Sequence, residues 1–422
     1  MSRSLPLRVL LAAGLLAGCQ TTQTTPVAVA ATTDQAAAAA PQPRLSFEEW
    51  LKGLRADAMQ QGIRAATFDR AMGSVRLSDR VQELDNKQPE FERQVWQYLD
   101  GAVSDRRVQN GRQKLQDNAA LLRRVSQRSG VPAEILVAHW GLESDYGNST
   151  GGFRVVDALT TLAYEGRRTG YFRGELLAAL RILDSGDIPL ERMSGSWAGA
   201  MGQTQFMPTI FLKHAMDEDR DGRRDIWGSL PDVFASTAAF VQSNGWRAGE
   251  RWGEEVTLPP GFPYAEAEYN IVKPMADWRR IGVRPVAGGE LQGEGNGSVL
   301  LLGGHNGPAF LIRDNFRAIM RYNPSTSYAL AVALLADRIE GRGPVLGSWP
   351  RQELPLNKDE RMELQQRLAA MGFDPGGVDG IVGANTRNAL RRFQVTVNEV
   401  PDGFATKALL DRLRQASGSA KL

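Results

Sequence analysis

At 422 residues with 42% hydrophobic content, the chain is long enough to form two or more compact domains. A net charge of +2 supplies no basic footprint for nucleic acid, so no nucleic-acid partner is expected. Three widely spaced histidines, His139, His214 and His305, argue against a histidine-rich zinc site, and a single cysteine excludes an intramolecular disulfide.

At the N-terminus, Arg3 and Arg8 precede the apolar run Val9 to Leu16, which is too short to span a bilayer but suits the core of a signal peptide over residues 1–18. The run ends in Leu16-Ala17-Gly18-Cys19, which resembles a bacterial lipobox and implies that Cys19 is the lipidated first residue of the mature chain. Several acyl chains on one residue give stable anchoring where one would not. Gln20, rather than aspartate, implies by the same convention an outer-membrane anchor. After Cys19 the chain to residue 44 is rich in Thr, Ala and Pro, too poor in bulky apolar residues to offset the entropy of ordering, and is expected to be a flexible tether. No other stretch is long and apolar enough for a transmembrane helix.

From Phe47 to Asn244 the pattern is mostly helical. Pro132 suits a first helical turn and Gly147 lies just beyond the far end of the same helix. Ile135, Ala138, His139 and Leu142 form one stripe, and Leu136, Trp140 and Glu143 form the stripe beside it. Glu143 therefore extends an apolar surface, where a carboxylate loses hydration. Its pKa should rise and leave it protonated near neutral pH, the state required of a general acid. Asp145 is the obvious second carboxylate. Two residues along a helix is about a 200° turn, so Asp145 points away from Glu143 and reads as a capping or turn residue. Glu165 and Glu175 remain as alternative partners.

The segment Gly195-Ser196-Trp197-Ala198-Gly199-Ala200-Met201-Gly202-Gln203-Thr204-Gln205-Phe206-Met207-Pro208 combines small residues, amides and flat rings. Its glycines allow close approach of backbone or ligand. Ser196, Gln203 and Gln205 offer uncharged donors and acceptors, and Trp197 and Phe206 offer faces suited to sugar rings. Together with Glu143 this points to a glycan-cleaving cleft, although a tightly packed helix junction would need the same small residues.

Asp217, Asp219 and Asp221 stand at positions 1, 3 and 5 of a loop with Gly222 at position 6, the front half of an EF-hand. Gly228 replaces the usual glutamate at position 12; resemblance to related loops that close with a later aspartate implies Asp232 for that role, and a solvated acidic turn without metal is the alternative. Arg223 would offer its backbone carbonyl and Asp225 a water-mediated contact. Ca²⁺ held here would be structural rather than catalytic.

Between about Gly249 and Phe310, proline, glycine and β-branched runs such as Gly297-Ser-Val-Leu-Leu-Leu point to a small β-rich insertion. Helix resumes near Asn315, and the alanine-rich stretch Tyr328 to Ile339 completes the catalytic region, 45–340. Gly and Pro mark a linker over 341–356. The sequence from Leu364 to Gln394, inside the region 357–422, closely resembles a peptidoglycan-binding domain of three helices. Asp379-Gly380 with Thr386, then Asp402-Gly403 with Thr406, form a faint internal repeat of a turn followed by a helix start.

Glu143 with its neighbours, the run Asp157-Ala-Leu-Thr-Thr-Leu, the segment Gly199 to Pro208, and Tyr322-Asn323 with Tyr328 closely resemble the lytic murein transglycosylase B family, from about Leu45 to Glu340. The resemblance implies a mainly α (α+β) fold, with a lysozyme-like helical core, the β-rich insertion and a separate three-helix module. It implies a periplasmic enzyme, without a catalytic cofactor, that cleaves the β-1,4 bond between N-acetylmuramic acid and N-acetylglucosamine in peptidoglycan. The product would carry a 1,6-anhydro ring. Glu143 would act first as acid and then as base, with the substrate's acetamido group assisting, an exception to the two-carboxylate rule. Ser196, Gln205 and Phe206 would line the cleft at the scissile bond, Tyr322, Asn323 and Tyr328 a second wall, and Tyr98 would join from the N-terminal helices. Phe240 stands where relatives can carry tyrosine, which keeps a ring and loses a hydroxyl. Two alternatives remain: a non-catalytic peptidoglycan-binding scaffold, against which the intact motif residues argue, and a hydrolytic lysozyme-type muramidase.

Overall fold

The computed structural model describes residues 45–87 and 94–418. The expected signal peptide, Cys19 and the tether fall outside the described residues. From Phe47 onward the chain forms one unit, and among its described residues no helix is long and apolar enough to cross a membrane.

Two apolar cores lie within the helical region. One is built on the helices Ala133–Ser144 and Thr326–Glu340, the other on Val155–Glu165 and Thr169–Ser185. In Ala133–Ser144 every residue from Ile135 to Gly141 is buried, so the two sequence stripes merge into a helix enclosed on all sides. Its partner is buried through Ala329, Ala331, Ala333 and Ala336, whose small side chains permit close packing of the two helices. Ser325 caps that partner by accepting from the Tyr328 backbone N–H, which fixes Tyr328 in the first turn.

Pro132 sits one residue outside its helix, as an N-cap with extended backbone, where its missing N–H costs nothing. At the other end Asp145 takes the left-handed conformation, with φ of 48°, so the helix stops immediately after Ser144.

A short ribbon joins β1 (Phe153–Arg154) to β2 (Ser194–Gly195). The insertion holds β3 (Gly253–Thr257), β4 (Lys273–Pro274), β5 (Arg284–Pro285), β6 (Asn296–Leu301) and β7 (Ala309–Ile312), paired antiparallel in the order β4-β6-β7-β3-β5. Strand alternation sends Val299 and Leu311 into a local core around Trp278, and Leu300, Phe310 and Ile312 into the main helical core. Burial on both faces explains the unbroken apolar run in β6. The last strand ends two residues beyond the expected boundary at Phe310, and the insertion also carries the helix Met275–Ile281.

The C-terminal helices Lys358–Ala370, Ala384–Thr396 and Lys407–Ser417 enclose their own core of Leu364, Leu368, Leu390, Phe393, Leu410 and Leu413. The faint repeat has a physical basis. Gln365 clasps the Asp379-Gly380 turn through both amide groups, and Gln394 clasps Asp402-Gly403 in the same way. Although it has its own core, the module is docked on the insertion. Glu268 pairs with Arg387 and Arg391, and His305 Nδ1 lies 2.6 Å from Asp402. The segment 341–356 is pinned as well, through the amides of Leu346 and Gly347 on Glu255 and through Arg351 on Asp100.

Candidate active site

Glu143 occupies the last turn of the enclosed helix, half-buried. Burial pushes its carboxyl up to about 7 from an ordinary 4.5, and a hydrogen bond donated by the Tyr328 hydroxyl to Oε1 opposes part of that rise. Among the described residues no neighbouring carboxylate contributes to the shift. Tyr98 and Tyr322 are close enough for the Glu143 charge to act on them. Burial first, and that charge second, hold both phenols above their ordinary range. Tyr328 is likewise held well above its ordinary value. The carboxyl thus sits among neutral phenols, with its proton retained near neutrality.

The rival carboxylates have other duties. Asp145, turned away by its left-handed backbone, lies 3.6 Å from the Arg107 guanidinium. Glu175 is buried and accepts from the backbone N–H and hydroxyl of Thr209, at the start of the helix Pro208–His214. Glu165 closes the helix Val155–Glu165.

The glycine-rich segment folds back on itself through bridges Gly195↔Met201 and Met201↔Phe206. Gly199 and Gly202 have φ of +86° and +61°, and a Cβ would meet Leu159 at the first and the Ile226 carbonyl at the second. Both glycines therefore serve chain packing rather than ligand approach. Ser196 accepts from the Ala200 amide at 3.0 Å, so among the described residues its hydroxyl proton stays free for a ligand.

Other residues expected to touch sugar do different work. Gln203 is buried: its Oε1 accepts from Trp140 Nε1 at 2.7 Å and its Nε2 donates to the Trp227 carbonyl at 2.8 Å. It ties the Glu143 helix to the glycine-rich segment and offers nothing to a substrate. The amide of Gln205 donates to the carbonyls of Thr150 and Gly202, which holds that residue's left-handed turn. Phe206, expected in the cleft wall, is only 1% exposed and backs Phe240 and Tyr322 from inside, because its ring is needed to fill the second core. Phe240 is buried against Tyr322, whose hydroxyl donates to the Thr204 carbonyl at 2.6 Å. Asn323 is exposed beside it.

Composition alone also missed His139, which is 0% exposed with Nδ1 2.9 Å from the Tyr328 hydroxyl. Only its place one turn before Glu143 hinted at this.

Of the expected metal ligands, Asp217, Asp219 and Asp221 come together, with one carboxylate oxygen of each within 4.8 Å of the others. Asp232 does not join that convergence, although the Asp219 backbone N–H also reaches its carboxylate. It is buried, and its two oxygens accept from the amides of Glu218 and Asp225. Arg223 turns its guanidinium onto Asp221 at 3.1 Å.

Residues 46–337 match the transglycosylase SLT domain, and residues 357–413 match the putative peptidoglycan binding domain. Membrane-bound lytic murein transglycosylase B of Escherichia coli (strain K12) is 34% identical over 262 residues, which cover 60% of this chain and 70% of that protein. The structure of SltB3 from Pseudomonas aeruginosa, solved in complex with NAG-anhNAM-pentapeptide, is 51% identical with a TM-score of 0.85, covering 87% of this chain and 99% of that one. Escherichia coli Slt35, solved in complex with calcium, is 29% identical with a TM-score of 0.60, covering 69% of this chain and 92% of that one. With a helical core of the lysozyme-like type and a carboxyl kept protonated at its centre, the chain belongs to the lytic murein transglycosylase B family, lyases acting on peptidoglycan.

Proposed function

We propose that Glu143 is the single acid and base of this transglycosylase and that its product is a 1,6-anhydromuramic acid end. In the first step the Glu143 proton passes to the glycosidic oxygen, the C1–O4 bond breaks, and N-acetylglucosamine leaves with a free 4-hydroxyl. The carbonyl oxygen of the muramic 2-acetamido group covers the cationic C1. In the second step the Glu143 carboxylate takes the proton of the C6 hydroxyl, and O6 closes onto C1. The proton is thereby restored to Glu143, and neither water nor a second carboxylate is consumed.

The observation that carries this reading is a carboxyl raised to about 7 chiefly by burial, with no carboxylate among the described residues acting on it as a nucleophile or water-activating neighbour would. Ser196, with an uncommitted hydroxyl proton, would serve the acetamido group or an adjacent oxygen. Tyr98, Tyr322, Asn323 and Tyr328 would flank the sugar, with Gln205 and Phe206 supporting the wall from behind. The test is mass spectrometry of muropeptides released from purified sacculi by the chain lacking residues 1–19, beside Glu143→Gln. Anhydro products from wild type alone are expected; water-added products would make the enzyme a hydrolase.

The C-terminal module supports a tethering role, in which binding to glycan strands raises local substrate concentration. Cys19 would anchor the enzyme to the periplasmic face of the outer membrane. Asp217, Asp219 and Asp221 would hold a structural Ca²⁺, a reading supported by their convergent oxygens, the chemistry of hard oxygen ligands and the calcium complex of Slt35.

A further inference from the structure

We propose that His139 is a positioning residue for the reaction: through Tyr328 it fixes which oxygen of Glu143 carries the catalytic proton. The inference rests on Glu143 being the acid and base, and it concerns a group one helical turn away whose ring acts on Glu143 through the Tyr328 hydroxyl.

Three groups stand in a row. His139 Nδ1 lies 2.9 Å from the Tyr328 hydroxyl, and that hydroxyl reaches Glu143 Oε1. The imidazole is 0% exposed and lies against the Tyr322 ring, tilted by 31° with centroids 4.5 Å apart, and its Nε2 has no hydrogen-bond partner among the described residues. Burial pulls the ring down to about 3, so it is neutral throughout the working range and carries one N–H.

That single hydrogen has two places to sit, and they differ in cost. On Nε2 it would be a buried donor facing no acceptor; on Nδ1 it meets the Tyr328 oxygen and leaves only a bare lone pair at Nε2. Buried donors are rarely left unmade, whereas an unused acceptor is better tolerated. The Nδ1–H form therefore prevails. The Tyr328 oxygen then accepts from His139, and its own hydrogen is directed at Glu143 Oε1.

The consequence falls on the carboxyl. Oε1 is an acceptor whether Glu143 is ionised or not, so the exchangeable proton resides on Oε2, the oxygen left for the substrate. A hydroxyl that both accepts and donates is also a stronger donor than one that only donates. The titratable groups facing Glu143 are Tyr98 from the helix Val95–Ala102, Tyr322, Tyr328 and, on its own helix, His139; all four are uncharged near neutrality. Among the described residues no charged side chain shifts the Glu143 carboxyl, so the direction of the Tyr328 hydroxyl is the adjustable influence on its proton.

The first test needs no variant: ¹⁵N NMR of the histidine-labelled chain reads the tautomer of His139 directly. An Nδ1–H signal that persists across neutral pH is expected; an Nε2–H signal, or a protonated ring, would overturn the proposal. This readout is independent of turnover, so it stands even if Glu143→Gln kept its activity and sank the acid/base assignment.

The second test is kinetic. In His139→Leu the Tyr328 hydroxyl loses its donor, the carboxylate is less well stabilised, and the alkaline limb of kcat should move to higher pH. The same change should lower kcat about three- to tenfold with KM little altered. In His139→Asn the amide N–H takes the place of Nδ1–H, and the limb should return towards wild type. A folded His139→Leu enzyme with an unmoved limb, or an Asn variant no better than Leu, would reduce His139 to a packing residue.

Discussion

Trp140 Nε1 donates to Gln203 Oε1 at 2.7 Å, and the other end of that amide donates to the Trp227 carbonyl at 2.8 Å. One buried side chain thus joins the helix that carries Glu143, the segment that presents Ser196, and the stretch leading out of the acidic loop. Gln203→Ala would orphan an indole N–H and a carbonyl in a dry site, at about 2–4 kcal/mol for the two together. The measurement is chemical denaturation beside turnover on sacculi. Activity should fall well beyond what unfolding accounts for, since Glu143 and Ser196 lose their common brace, and an unchanged midpoint would show that Gln203 is not structural.

The raised Glu143 pKa makes two pH statements. As a general acid it must be protonated, so kcat/KM should decline as pH rises through about 7. For stability, a carboxyl whose folded pKa lies above its unfolded value favours the folded state below about 4.5 and loses that contribution as pH rises to about 7. Above pH 7 the buried carboxylate is a penalty on the order of 2–3 kcal/mol. Glu143→Gln should therefore be inactive yet more stable than wild type at pH 8, with the difference vanishing near pH 4. Thermal unfolding at the two pH values checks the sign.

Glu268 and the two arginines of the module form the other buried polar cluster with a clear consequence. Burial would raise the Glu268 carboxyl, but hydrogen bonds and charge from Arg387 and Arg391 outweigh it and hold the group below its ordinary value. Removing the carboxylate leaves Arg391, whose side chain is 5% exposed, without its counter-ion. Glu268→Ala should cost about 3–5 kcal/mol if docking is held in place, and so should release the module instead. Small-angle scattering would report an expanded particle, while turnover of short soluble glycans by the intact Glu143 site should survive.

How much of this was legible in the chain follows from how local each signal is. Glu143 and its raised pKa could be reasoned out because helix, apolar stripe and carboxyl lie within a dozen consecutive residues. The three-helix module was legible for the same reason, each Asp-Gly turn lying next to its helix. Gln203 and Phe206 were assigned to the ligand because composition says which chemistry a segment owns but not which way a side chain faces. Gln203 finds Trp140 across 63 positions, and His139 finds Tyr328 across 189. Such pairings arise only when the helix Ala133–Ser144 packs against the glycine-rich segment on one side and the helix Thr326–Glu340 on the other. The docking of the module was equally hidden, since the Gly and Pro of residues 341–356 signal a linker whether or not it is pinned.

The acidic loop separates ligands from an organiser, and calcium distinguishes them. Asp217, Asp219 and Asp221 aim one oxygen each at a common point, and Asp219 and Asp221 are solvent-exposed, so a bound Ca²⁺ would be held weakly, in the range of extracellular modules. At about 10 mM Ca²⁺ this amounts to roughly 1.4–2.7 kcal/mol of added stability, visible as a raised Tm. Asp219→Asn should abolish the rise without much change in the metal-free Tm. Asp232 should behave oppositely. Its oxygens are already occupied by the Glu218 and Asp225 amides, so Asp232→Ala should lower the metal-free Tm by removing the partner of two partly buried donors. A Tm indifferent to Ca²⁺ in the wild type would remove the metal and leave the loop as a set of self-satisfied turns.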